Sequence, residues 1–126
     1  MNNNILITGN VHTVLQDMAE NSIDMVMTSP PYDHTRVYKT NEYPVKEKGE
    51  EDILDLNLLG YQLYNVMKPG AVAVIVIQDQ TKNFGKSLSS FRLACNWCDE
   101  VGFKLFECCI YYKDARPGAW WDTRFR

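Results

Sequence analysis

Ser29-Pro30-Pro31-Tyr32 directly follows an apolar run, Ile23 to Thr28. Prolines carry no N–H, so this loop offers carbonyl acceptors and no competing donors at two successive positions. Ser29 adds a hydroxyl that can accept, and Tyr32 adds a flat aromatic face. Such a set suits a planar amine, with two acceptors for its two hydrogens and a platform for its ring. The amino nitrogen of a nucleobase is a poor nucleophile because its lone pair is delocalised into the ring. Holding both hydrogens lets that nitrogen pyramidalise and direct its lone pair at an electrophile. A stack on Tyr32 would hold a base taken out of a duplex. The structural alternative is a rigid turn closing a buried strand.

A loop with this role needs elements to position it. "NILITG" (4–9) reads as a buried strand ending at Gly9. Asn10 can cap a helix, and Val11, Val14, Leu15 and Met18 recur at helical spacing. "IDMVMT" (23–28) reads as a second strand, apolar on both faces as parallel strands tend to be. Residues 33–49 are polar and patternless, hence a loop. A helix is predicted from about Glu50, with Glu50, Glu51 and Asp52 where the dipole favours negative charge. Leu56, Leu59, Leu63 and Met67 share one face of it, and Pro69-Gly70 is its predicted stop.

"AVAVIVIQ" (71–78) is the clearest strand, again apolar on both faces, and Asp79 to Lys86 read as a loop. A further helix opens at Ser87 or Ser89, with Phe91, Ala94, Cys95, Cys98 and Val101 inward and Gly102 at its end. "FKLFECCIYY" (103–112) reads as a last strand, and the tail from Lys113 as loop. The order β-α-β-loop-α-β-α-β predicts an α/β layer fold with a mostly parallel sheet and flanking helices. Ligands of open parallel sheets bind outside the carboxyl ends of the strands. Those ends are Gly9-Asn10, Ser29 to Asp33 and Gln78-Asp79.

"VMTSPPY" resembles the catalytic signature of S-adenosylmethionine-dependent DNA amino-methyltransferases, in the subclass whose catalytic half comes first in the chain. The resemblance is an ordered series. "ILITGNVHTVLQDMAENSIDMVMTSPPY" looks like that family's opening, "NVMKPGAVAVIVIQD" like its next strand, and "FRLACNWCDEVGFKLFECCIYYKDARPG" like the following helix and strand. It implies a Rossmann-like methyltransferase fold, incomplete here. By the same resemblance, Ser29 and the Pro30 carbonyl take hydrogen bonds from the target amine, within the loop that Pro31 stiffens. Tyr32 stacks on the flipped base of double-stranded DNA. S-adenosylmethionine lies across the strand ends near Gly9 and Asn10. The family usually has Asp after that Gly, and Asn10 keeps an acceptor without the charge. Ser before Pro-Pro is closest to enzymes that methylate cytosine N4, while relatives acting on adenine N6 more often carry Asp or Asn there.

The family's F-x-G-x-G cofactor loop and target-recognition region are not among these 126 residues. The expectation is therefore a single catalytic domain over 1–126, unable to complete its sheet or hold the methyl donor alone. Self-association or a complementary methyltransferase half would fill the gap. A non-catalytic, partner-binding remnant is the competing reading. Methylation of RNA or of a protein glutamine is a weaker one.

The remaining features set limits. The net charge is −3, but residues 1–60 balance at −6 and residues 61–126 at +3. His34 and Arg36 after the loop, and Arg116 and Arg124 in the basic end, are candidate DNA contacts, with ordinary solvation as the alternative. Cys95, Cys98, Cys108 and Cys109 are expected to be buried, inert thiols rather than metal ligands, because neighbours in a strand point to opposite sides. His12 has no partner pattern. Trp120 and Trp121 could stack on a base or rest on the domain. No run of about 18 apolar residues suggests a membrane span, and no secretory signal opens the chain. With four cysteines, that points to a cytoplasmic protein, and the family resemblance implies a bacterial or phage-like setting.

Overall fold

The computed structural model describes residues 4–30, 55–79, 81–82 and 84–112. The described elements are α1 (Val11–Gln16), β1 (Ile23–Thr28), α2 (Leu56–Val66), β2 (Met67–Ile75), the short strands β3 (Thr81–Lys82) and β4 (Gly85–Lys86), and α3 (Ser89–Asn96). α3 runs on into a π-helical turn, Trp97–Val101. The expected loop 33–49 and the helix start at 50–54 lie outside the described residues.

β1 and β2 form a parallel pair, as expected, with Met25 opposite Val72 and Thr28 opposite Ile75. The register slips between Ile23, opposite Met67, and Met25, so that Lys68-Pro69-Gly70 is absorbed as extra length in β2. A proline without an N–H and a glycine at φ 83° suit such an irregularity. Lys68 Nζ reaches Asp24 Oδ1 at 2.6 Å across it.

Pro69-Gly70 is therefore not the helix stop the sequence suggested. α2 ends at Val66, because the Asn65 and Val66 carbonyls accept from the backbone N–H groups of Asn21 (3.1 Å) and Ser22 (2.8 Å). The turn leading into β1 thus satisfies the carbonyls a helix end leaves open.

The core lies between one face of this pair and the helices. Leu59, Leu63, Met67, Trp97 and Val101 are buried together, with Val26, Ala71, Ala73 and Ile75 packed against them from the sheet. Three of the four residues predicted on one face of α2, namely Leu59, Leu63 and Met67, are in this cluster, and Leu56 is packed against it. The unanticipated centre is Trp97. It is 5% exposed, stacks on Phe103 with centroids 5.2 Å apart, and donates Nε1–H to the Leu56 carbonyl at 2.9 Å. Gly60 makes this possible, since a Cβ there would lie 2.6 Å from Trp97 Nε1.

Gly102 ends the helical segment as expected, at φ 105°. Both its N–H and that of Phe103 reach the Trp97 carbonyl at 3.0 Å.

Several expectations are corrected. Segments 4–9 and 103–112 are not strands. Leu6 is 93% and Phe106 92% exposed, and Ile5, Ile7, Leu105, Ile110, Tyr111 and Tyr112 are exposed with them. A strand is a property of a pair, and neither segment has a ladder partner among the described residues. β1 and β2 are not buried on both faces: Met25, Met27 and Val72 line an uncovered face. On α3, Phe91 and Cys95 point outward. Cys95, Cys108 and Cys109 are exposed, while Cys98 is half-buried. Among the described residues no helix is long and apolar enough to cross a membrane.

Candidate functional site

The parallel pair delivers two backbone segments at one edge. β1 ends at Thr28, whose carbonyl accepts from Val76 N–H at 2.9 Å just past the end of β2. Ser29 and Pro30 continue from β1, and residues 76–79 continue beside them from β2. Ser29 is exposed and Pro30 is buried. An exposed serine thus adjoins a buried proline at this edge. This is the carboxyl-end position the sequence suggested. Pro31, Tyr32, His34, Arg36, Arg116, Arg124 and the pair Trp120-Trp121 lie outside the described residues.

Asp79 is the most elaborately held polar group at this edge. Its Oδ1 accepts from Ser90 N–H at 2.8 Å and its Oδ2 from Ser90 Oγ–H at 2.7 Å. Ser87 Oγ lies 3.5 Å from Oδ1, and Ser89 Oγ donates to Ser87 Oγ at 3.2 Å. Burial pushes the Asp79 carboxyl up. The Ser90 N–H and hydroxyl, the Ser87 hydroxyl and the Ser89 N–H outweigh that and hold it below its ordinary value of 3.8. Asp79 thereby caps α3, because Leu88, at the formal cap position, contributes no side-chain bond. The end of β2 and the start of α3 are tied into one unit. Sequence reading placed Asp79 at a strand end, but its serine partners were visible only as candidate helix starts.

Gly9 and Asn10 head α1. Asn10 caps that helix as its sequence suggested, with Oδ1 accepting from His12 N–H at 2.9 Å. α1 is fixed to α2 through a reciprocal pair: Gln62 Nε2 donates to the His12 carbonyl at 3.0 Å, and His12 Nδ1 meets Gln62 Oε1 at 2.6 Å. That arrangement places the proton on Nδ1 and leaves Nε2 buried without a partner. His12 is thus a packed residue, with a partner where the sequence showed no partner pattern. Its partner lies 50 positions away, beyond any local pattern.

The described residues fit a methyl-donor site poorly at this point. Asn10 Oδ1 already accepts from the helix and carries no charge, so it can offer a ribose hydroxyl at most one neutral lone pair in place of a carboxylate. A Cβ on Gly9 would sit 3.3 Å from Val14 Cγ2, so the space beside it is already taken by protein. Among the described residues no group of three or more His, Cys, Asp or Glu is placed to hold a metal.

A parallel α/β layer with an exposed serine on a buried proline at the carboxyl edge belongs to the architectures that bind substrates at strand ends. The chain is 35% identical over 100 residues to the orphan methyltransferase M.BamHII of Bacillus amyloliquefaciens, a match covering 79% of this chain and 33% of that protein. It is 32% identical over 113 residues to the type II methyltransferase M.MwoI of Methanothermobacter wolfeii, covering 86% of this chain and 17% of that protein. The chain is similar to a part of these methyltransferases and spans about a third or less of their length. No protein-family model matches it, and no solved structure does.

Proposed function

We propose that residues 1–126 are the catalytic domain of a DNA amino-methyltransferase of Rossmann-like fold. The domain would hold a flipped cytosine in double-stranded DNA so that its N4 receives a methyl group. By the family resemblance, S-adenosylmethionine would supply that methyl group, its sulfur–methyl bond breaking to leave S-adenosylhomocysteine while N4 gives up one proton to solvent. The observation that carries the reading is the placement of Ser29: exposed, at the carboxyl edge, on a buried Pro30. The similarity to two methyltransferases over most of this chain supports it.

In this reading the chain's own residues act on the acceptor base. The Ser29 hydroxyl and the Pro30 carbonyl accept the two amino hydrogens, and Tyr32 stacks on the ring. Pulling on both N–H bonds localises the nitrogen lone pair and gathers the positive charge that develops there. These contacts strengthen as the reaction proceeds, so their worth lies in the rate rather than in binding. His34, Arg36, Arg116 and Arg124 are proposed phosphate contacts. In this reading the donor is held by a complementary methyltransferase half or a second copy, which the uncharged Asn10 supports. Either would also cover the apolar face of Met25, Met27 and Val72.

The test is Ser29→Ala in the complemented enzyme, followed as single-turnover methylation and as duplex affinity. Turnover falls by roughly a hundredfold, in the range of one lost transition-state hydrogen bond, while affinity changes little. An unchanged single-turnover rate sinks the assignment. Mass spectrometry of digested product DNA reads the base: N4-methylcytosine is expected, N6-methyladenine replaces cytosine by adenine, and 5-methylcytosine overturns amino-group chemistry itself.

A further inference from the structure

Among the described residues three non-glycine side chains sit at positive φ, and two of them, Phe84 at 61° and Leu88 at 58°, fall between β3 and α3. Asn21, the third, is a residue type that tolerates this conformation, whereas a bulky aromatic does not adopt it freely. Phe84 stands at the tip of the β3–β4 ladder, where Thr81 pairs with Lys86 and Lys82 with Gly85. Its side chain is 81% exposed. Among the described residues most other exposed apolar side chains lie on the open sheet face, on helix surfaces or in segments 4–9 and 103–112, while Leu88, less exposed than Phe84, sits just before α3. Phe84 is the exposed apolar residue on the β3–β4 turn.

That turn is anchored at its base. Asp79 before it holds Ser87 and Ser90 after it, so the strained tip stands on a tied stem. It also emerges from the carboxyl end of β2, the same edge that presents Ser29 and Pro30. Residues 79–98 hold Lys82, Lys86 and Arg92 against one carboxylate, Asp79, whose oxygens are engaged by Ser87 and Ser90 at the base of the stem. Lys86 and Arg92 are exposed. An aromatic tip on a cationic stem at the reactive edge complements a polyanion with stacked rings.

We propose that Phe84 is a wedge that enters a DNA duplex at the gap left by a flipped base, with Lys86 and Arg92 against flanking phosphates. The proposal rests on the DNA-methyltransferase reading and adds to it a site outside the Ser29-to-Tyr32 loop. Drawing a base out costs stacking on both its neighbours, and an apolar side chain in the vacated space restores part of it. The anchored stem means that little ordering remains to be done when the wedge enters.

Fluorescence anisotropy tests this with two labelled duplexes of one sequence, one intact and one carrying a single abasic site that mimics the gap. The wild-type chain binds the abasic duplex more tightly than the intact one. Phe84→Ala lowers abasic affinity about tenfold, within the range for one lost aromatic stack, and abolishes the preference. Phe84→Gly does the same although it relieves the backbone, which a purely structural role would not predict. Phe84→Trp keeps the preference. Lys86→Ala weakens both duplexes alike and lowers the salt slope by about 0.9. Circular dichroism of each variant matches wild type, since the side chain is exposed.

Equal abasic affinity for wild type and Phe84→Ala overturns the wedge while leaving methylation untouched. Loss by Phe84→Trp equal to that of Phe84→Ala also overturns it. Failure of the wild-type chain to bind either duplex overturns the wedge and the DNA reading together.

Discussion

Gly60→Ala should destabilise this protein, although replacing glycine by alanine inside a helix ordinarily does the reverse. Alanine gains about 1 kcal/mol over glycine in a helix interior. Here the new Cβ would lie 2.6 Å from Trp97 Nε1 and 2.9 Å from both Cδ1 and Cε2, against 3.4–4 Å for ordinary contact. The indole must retreat by about 1 Å, and it is walled in by Phe103 on its face and by the core cluster around it. Retreat lengthens the 2.9 Å bond to the Leu56 carbonyl and leaves a buried N–H unsatisfied, at about 1–3 kcal/mol. Overpacking adds about 1–3 kcal/mol. After the helix gain is subtracted, the net cost is about 3 kcal/mol. With a urea slope near 1.5 kcal/mol/M this moves the unfolding midpoint down by roughly 2 M. Combining Gly60→Ala with Trp97→Phe should cost less than the sum of the two, because the shared clash is counted once. A Gly60→Ala variant as stable as wild type, or more so, refutes the indole-on-glycine packing.

Asp79→Asn should destabilise at neutral pH, because the carboxyl lies below its ordinary value of 3.8 in the folded chain. A lowered carboxylate stabilises above its unfolded pKa and loses that contribution as pH falls through the folded value. The gap between variant and wild type therefore narrows on acidification below 3.8, and a gap that stays constant in urea titrations refutes the assignment. Leu63→Ala removes a residue that is 5% exposed and should cost about 2–5 kcal/mol by the same assay; a cost under about 1 kcal/mol would mean that the core is elsewhere. Exposed Cys95, Cys108 and Cys109 should react with a colorimetric thiol reagent before half-buried Cys98, and uniformly slow reaction would restore the buried-thiol expectation. Calorimetric titration of the chain with S-adenosylmethionine should give no saturable heat, and a saturating isotherm from a chain shown monomeric by light scattering overturns the poor fit argued at Asn10.

The amino-acid sequence by itself determined the parts whose cause is local. The apolar runs of β1 and β2, the Asn10 cap, the Leu59-Leu63-Met67 face and the Gly102 stop are all written in spacings of a few residues, and the structure keeps them. The missing donors and the hydroxyl of Ser29-Pro30-Pro31-Tyr32 are likewise properties of residue type, although Pro31 and Tyr32 lie outside the described residues. What tertiary structure decided involves distant partners. Trp97 became the core's centre because Gly60 has no Cβ, and no periodicity pairs those positions. His12 found Gln62, and Asp79 found Ser87 and Ser90, across intervals that carry no pattern. Segments 4–9 and 103–112 show the same principle from the other side. Their composition favours strands, yet a strand's backbone groups need a neighbour, and hydrophobicity cannot say whether one is there.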